Sequence, residues 1–308
     1  MVPLLESCST EELCLALDGS EKLLEDLRTR LREWLEMQPH LPKDMPDRRL
    51  EYFPISTKLQ SLELAKQKLD MYYTVRRLVP ELFTDRDPSS ASFAKLRQSL
   101  QWVCLPKLTP EKYRVSILRS LNEDASKFQP WDLFKYTFMV GDVRISECRS
   151  LGDIYIYDLS AMRLGHLAKL TPAILKKCEV AATKAYGARI KGIHFVNAPS
   201  FIDRIVTLVK SAIKPKLAAR IHVHSSGLES LYDSIPKSVL PLDYGGEEPS
   251  MDQLDEKWQS KLSEWRDWFL REEKSGTVDE ALRPATAPTL NVDDLFGFHG
   301  SFRKLELD

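Results

Sequence analysis

Two patterns in the sequence predict an α/β fold with a mostly parallel sheet behind an all-helical N-terminal segment. From about Leu105, strand-like runs alternate with helical ones: Tyr113–Leu118, then Pro130–Val140, Gly152–Asp158, 171–186 and Ala188–Asn197. Strands spaced by helices call for right-handed crossovers and hence parallel pairing. Before Leu105 apolar residues recur at helical spacing instead. The expected division is a helical subdomain over 1–104, an α/β domain over 105–250, and a C-terminal helix with an extended tail over 251–308.

Ser9 and Glu12 form a capping-box pattern, and Gly19 stops that short helix. Glu21 to Met37 places Leu23, Leu24, Leu27, Leu31, Trp34 and Leu35 at helical spacing, and Pro39 closes it. Leu41 to Pro54, with three prolines, reads as loop. Ser61 to Leu78 carries Leu62, Ala65, Leu69, Tyr72, Tyr73 and Arg76 before Pro80, and Leu82 to Ser90 reads as a polar connector. Thr171-Pro172 opens a helix that Gly187 ends, because proline at the first helical position loses no needed hydrogen bond. Ser250 and Gln253 suggest a second capping box. The helix to Glu273 carries Leu254, Trp258, Leu262, Trp265 and Phe269 on one stripe, and 274–291 reads as extended.

The totals exclude several classes. The chain has 308 residues, 29% of them charged, and a net charge of −1. The N-terminus lacks a basic stretch followed by a long apolar one, so secretion is not expected. No apolar run approaches the ~18 residues of a membrane span. Five cysteines without C-x-x-C spacing read as reduced thiols of a cytosolic protein. The glycine patterns of nucleotide cradles and nucleophile elbows are absent, and no enzyme activity is expected. His222 and His224 share a strand face, with His194 a third candidate. Without a carboxylate or cysteine at ligand spacing, pairing with backbone or solvent is the better reading, and no metal or cofactor is expected.

Residues 189–224 are the most informative. They hold seven basic residues and one acid, Asp203, in a near-neutral protein. Such a face fits docking on an anionic surface. Within it, Ser200–Ile213 is an amphipathic helix with Phe201, Ile202, Ile205, Val206, Leu208, Val209, Ala212 and Ile213 on its apolar face. By itself this is the pattern of a helix covering a sheet.

The motifs Asp153-Ile-Tyr-Ile-Tyr-Asp-Leu159, Gly192-Ile-His-Phe-Val-Asn197, Ala219-Arg-Ile-His-Val-His224 and Leu240-Pro-Leu-Asp-Tyr-Gly-Gly246 resemble, in order and spacing, the CRAL-TRIO lipid-transfer family. Gly300-Ser-Phe-Arg-Lys304 makes the likeness closest to insect tocopherol-transfer-like members. The resemblance implies a sheet flooring an apolar cavity that a mobile gate helix, 200–213, closes. It further implies a bound hydrophobic ligand against Phe134, Thr137, Phe138, Tyr157, Cys178, Ala182, Ile193, Phe201, Ile202, Val206, Val209 and Ile213. A phosphoinositide headgroup would sit on Arg189, Lys191, Lys216 and Arg220. Two positions depart from the family pattern: Ser211 replaces a proline near the gate's end, and the basic helix expected between Asp47 and Leu59 is divergent.

The expected function is therefore a non-enzymatic carrier of a tocopherol-, retinoid- or carotenoid-like lipid. It would be cytoplasmic and exchange cargo during transient contact with phosphoinositide-bearing membranes, endosomal ones included. Nucleic acid is not an expected partner. The alternative is a lipid-sensing adaptor whose helical N-terminus binds a protein partner that the sequence does not identify.

Overall fold

The computed structural model describes residues 4–225, 227–285, 295 and 296. At its centre is a five-stranded sheet in sequential order: β1 (Leu100–Leu108), β2 (Tyr113–Ser120), β3 (Gly152–Asp158), β4 (Ile190–Val196) and β5 (Ile221–Val223). β1 and β2 are antiparallel, and every later pair is parallel. The alternation read from the sequence is present, with one addition. Periodicity does not predict β1, which crosses the expected 104/105 boundary and starts the sheet at Leu100. Leu100 to Leu105 are buried without alternation, and Pro106 reads as a break. Pairing with β2 makes this run a strand. Its outer side is covered in part by Trp258, whose Nε1 donates to Cys104 O at 2.8 Å. An edge protected this way tolerates a proline.

The helices that matter below are α1 (Thr10–Ala16), α2 (Glu21–Glu36), α3 (Leu62–Leu78), α4 (Pro130–Glu147), α5 (Pro172–Val180), α6 (Ile202–Ala212), α7 (Met251–Glu264) and α8 (Arg266–Ser275). Both expected capping boxes form, at Ser9/Glu12 and Ser250/Gln253. The loop expected over 41–54 instead contains a short helix, Asp47–Leu50, and leads into another, Tyr52–Ser56. Pro54 sits in the first turn of the latter, where backbone N–H groups have no intrahelical partner to lose. The single helix expected to Glu273 breaks at Trp265 into α7 and α8. The tail expected to be extended begins inside α8 and includes the turn Glu280–Leu282. Its residues 286–291, like Gly300–Lys304, lie outside the described residues. All five cysteines are free and buried. Among the described residues, no helix is long and apolar enough to cross a membrane.

A buried charge cluster ties the N-terminal helices to the sheet domain. Asp142 of α4, fully buried, accepts hydrogen bonds from Arg49 Nη2 (2.7 Å), Arg76 Nη2 (2.9 Å) and Arg86 Nη1 (2.7 Å). The hydroxyls of Tyr72 and Tyr186 donate to the same carboxylate at 2.8 and 2.9 Å. Burial alone would raise the Asp142 pKa, but the guanidiniums of Arg76, Arg49 and Arg86 hold it down at about 2. Arg86 comes from the stretch that reads as a polar connector, yet it is 1% exposed. It can be buried because its charge is neutralised by a residue 56 positions away.

Strand parity divides the sheet into two faces. One carries two cross-strand rungs, Trp102–Leu118–Tyr157–Phe195 and Cys104–Ser116–Tyr155–Ile193. The other carries Val103, Leu105, Val115, Ile117, Ile154, Ile156 and Val196, packed into one core with Leu231, Ile235, Val239, Leu240 and Tyr244. The second face is filled.

Candidate functional site

Over the first face the interior is hollow. A cavity of about 770 Å3 lies between both rungs and α4, α5 and α6. Nine residues expected to contact a ligand lie on its wall: Phe134, Thr137 and Phe138 of α4, Tyr157 and Ile193 of the sheet, Cys178 of α5, Ala182 of the π turn Ala181–Ala185, and Val209 and Ile213 at the gate position. Small side chains at Gly141 and Ala182 leave part of this room.

Phe201, Ile202 and Val206 do not line the cavity. They pack in the cluster of Leu159, Phe195 and Ile205. For Ile202 and Val206 the reason is helical phase: Ile205, Val209 and Ile213, four residues apart, form the stripe that faces inward, and 202 and 206 belong to the neighbouring stripe, while Phe201 stands before the first turn with a non-helical backbone. Ile205 is thus the gate residue missing from the ligand set read out of the sequence. Other wall residues that periodicity could not single out are Trp102, Leu118, Leu159, Leu175 and Leu217. They look like core, and only the void beside them makes them wall.

α6 is thinly held. Only Ile205 and Ala212 are buried, and its N-terminus has no side-chain cap. Ser211, at the departure from the family pattern, is exposed and donates to Leu208 O, while Pro215 opens the short helix Pro215–Ala218. Few buried contacts and a missing cap are features of segments that open locally.

The four basic positions divide into two kinds. Lys191 and Lys216 are exposed, and the Lys191 ammonium lies 4.9 Å over the Tyr113 ring. Arg189 is half-buried and donates to Ser150 O at 3.0 Å, and Arg220 donates to Ile190 O. Among the described residues none of the four forms a salt bridge, so their charge is unbalanced. Lys68 of α3 joins them. Its ammonium sits against Gly187, whose φ of +57° suits glycine, and beside Ser56. Burial, then the charges of Arg189 and Lys214, push Lys68 down to about 8. A lysine three residues after Ala65 and four before Tyr72 stands on the apolar stripe, which was the available signal for it.

His194, His222 and His224 do come together on the sheet's other face. Their rings are nearly parallel, and His194 Nδ1 and His224 Nε2 share a hydrogen bond of 2.9 Å. His224 Nδ1 pairs with Ser230 Oγ at 2.7 Å, and burial pushes His194 down to about 3.

A mostly parallel sheet with one hollow, apolar face, behind a helical N-terminal segment, defines a lipid-binding α/β domain. Residues 99–246 match the model of the CRAL/TRIO domain, and the chain belongs to the CRAL-TRIO family. Residues 20–93 match the model described as Pinta-like, UBA domain. The chain is 28% identical over 272 residues to the human (Homo sapiens) alpha-tocopherol transfer protein-like protein, covering 81% of this chain and 78% of that one. It is 33% identical over 141 residues to clavesin-1 of Rattus norvegicus, covering 45% and 40% respectively. The crystal structure of Sfh5 is similar with a TM-score of 0.47 and 13% identity, covering 81% of this chain and 93% of that one.

Proposed function

We propose that this protein is a non-enzymatic, cytoplasmic carrier of one hydrophobic lipid, which it exchanges at phosphoinositide-bearing membranes when α6 swings away from the cavity. The cavity is the observation that carries this reading. A void of about 770 Å3 with mainly apolar walls has no structural purpose unless filled. Burying ~400 Å2 of ligand at about 25 cal/mol/Å2 gives roughly 10 kcal/mol before association costs, enough to retain a sparingly soluble molecule. The unpaired cations Arg189, Lys191, Lys216 and Arg220 supply the docking face, and an opened α6 would present its apolar stripe to the membrane interface. The name of the relative that matches most of this chain supports a tocopherol-like cargo.

The test is organic extraction of the protein from its native tissue, followed by transfer of the recovered lipid between vesicles. One stoichiometric lipid, transferred faster with protein than without, is expected. Ala182→Phe, which fills part of the void, should lose at least tenfold in transfer while keeping its melting temperature. An empty pocket and no transfer would reject the carrier.

Lys68 adds a pH dependence. Its folded pKa of about 8 lies below the ordinary 10.5, so the unfolded chain binds the extra proton between these values, and stability rises with pH across that window. A bound phosphate would pull the proton back. Inositol trisphosphate should therefore take up a proton on binding and lose affinity as pH rises through 8. Calorimetry in two buffers of different ionisation enthalpy reads the uptake, and Lys68→Met should abolish it.

A further inference from the structure

The cavity has two unlike ends. Toward one, its wall includes the exposed polar residues Ser92, Lys95, Asp124 and Lys127. At the other lie Tyr52, Gly141, Arg144, Cys148 and Asp153, none of them exposed. Asp153 is level with Arg114 of β2, six residues from the wall residue Ser120, so the cavity runs about 20 Å at ~3.3 Å per residue.

This less exposed end is not apolar. Arg144 Nη2 donates to Asp153 Oδ1 at 2.5 Å, with Ser150 Oγ at 3.5 Å. Nε is buried without a partner, and Nη1 has none among the described residues. The next residue on the same face of β3, Tyr155, lines the cavity, and its hydroxyl makes no hydrogen bond within the described residues. Asp153 and Tyr155 stand two apart on the cavity face of β3, and Arg144 is tied to the first of them, so all three share one stretch of the wall. A guanidinium with spare N–H groups and a free phenol, at the bottom of a greasy shaft, are donors without an acceptor. A hydrocarbon filling the cavity would cut Nη1 and the phenol off from any partner, at roughly 1–3 kcal/mol per group, so a ligand that supplies the acceptor gains where a hydrocarbon does not. Asp153 already balances the charge of Arg144. A second carboxylate there would lie beside the like charge of Asp153, which disfavours it.

We propose that Arg144, Asp153 and Tyr155 form an internal headgroup seat that selects an apolar ligand about 20 Å long ending in a neutral oxygen, a hydroxyl or carbonyl, over the matching hydrocarbon or free acid. The seat rests on the reading of the cavity as a ligand pocket and names the class of that ligand. It orients the cargo with its polar end innermost and its tail toward the rim of Lys95 and Lys127.

Three probes of equal chain length test it: hexadecane, hexadecanol and hexadecanoate, each competing with a fluorescent dye bound in the cavity of the full-length protein at pH 7.4. The readout is the alcohol-to-alkane affinity ratio in each variant relative to wild type, which cancels the differing solubilities of the probes. Tyr155→Phe removes one donor, leaves no partner unpaired, and should lower the ratio about fivefold. Arg144→Met/Asp153→Leu removes the pair without stranding a charge and should lower it tenfold or more, with hexadecane binding unchanged. Hexadecanoate should bind wild type at least tenfold more weakly than the alcohol. An unchanged ratio in Tyr155→Phe, which is expected to fold, overturns the seat while leaving the pocket standing. Tighter binding of the acid than of the alcohol overturns its neutrality. Failure of all three probes to bind wild type removes the pocket reading and the seat with it.

Discussion

Asp142→Ala is expected to cost about 3–5 kcal/mol of stability, the penalty for stranding buried charge, because Arg49, Arg76 and Arg86 would keep their charges and lose their shared acceptor. Against a typical total of about 5–15 kcal/mol this is a large fraction, and the melting temperature should fall by about 10 °C. The loss should appear as separation of the N-terminal helices from the sheet domain, because Arg49, Tyr72, Arg76 and Arg86 all reach Asp142 from those helices and their connector. Urea melts followed by circular dichroism measure it; a change within about 1 kcal/mol would show the cluster to be dispensable. The pH dependence has a definite sign. The folded pKa of about 2 lies below the ordinary 3.8, so the contribution is complete above pH 4 and is lost as pH falls through 2. The tie should therefore survive mild acid.

The second large effect concerns membrane docking. Lys191→Ala/Lys216→Ala should weaken binding to phosphoinositide vesicles about 30-fold, taking roughly 1 kcal/mol per basic residue near an anionic surface. Both ammonium groups are exposed and neither holds the backbone, so the fold should be unaffected. Arg189 and Arg220 differ, since each also donates to a backbone carbonyl, and alanine there mixes local rearrangement with lost charge. The wild-type affinity should fall steeply with added salt, and that slope should flatten in the double variant. Unchanged binding of the double variant in cosedimentation would remove the basic face from the docking reaction.

Elements with a strong local signal were legible from residues alone. Helices α2, α3 and α7, the strand Gly152–Asp158, the two capping boxes and the stop at Gly187 appear where spacing and caps place them. β1 was illegible because it lacks alternation and contains a proline, and it owes its conformation to β2 and α7. The helices at Asp47–Leu50 and Tyr52–Ser56 are too short to show a period. For the site, nine of the twelve wall positions carried by the family likeness fall on the void. Ile202 and Val206 miss it because the likeness gives α6 an apolar face and not its rotation, and Phe201 misses it because it precedes the first turn of α6.

Sequence by itself determined the class of fold, the amphipathic helix beside a basic strand pair, and the charge imbalance that makes one face of a neutral protein cationic. These are local properties, written in spacing and composition. Tertiary structure alone decided that Asp142 gathers three arginines, that Lys68 joins the basic face, and that the Arg144–Asp153 pair and Tyr155 stand together on a cavity wall. Each depends on residues distant in the chain meeting in a low-dielectric interior, and an empty space, unlike a side chain, leaves no letter in the sequence.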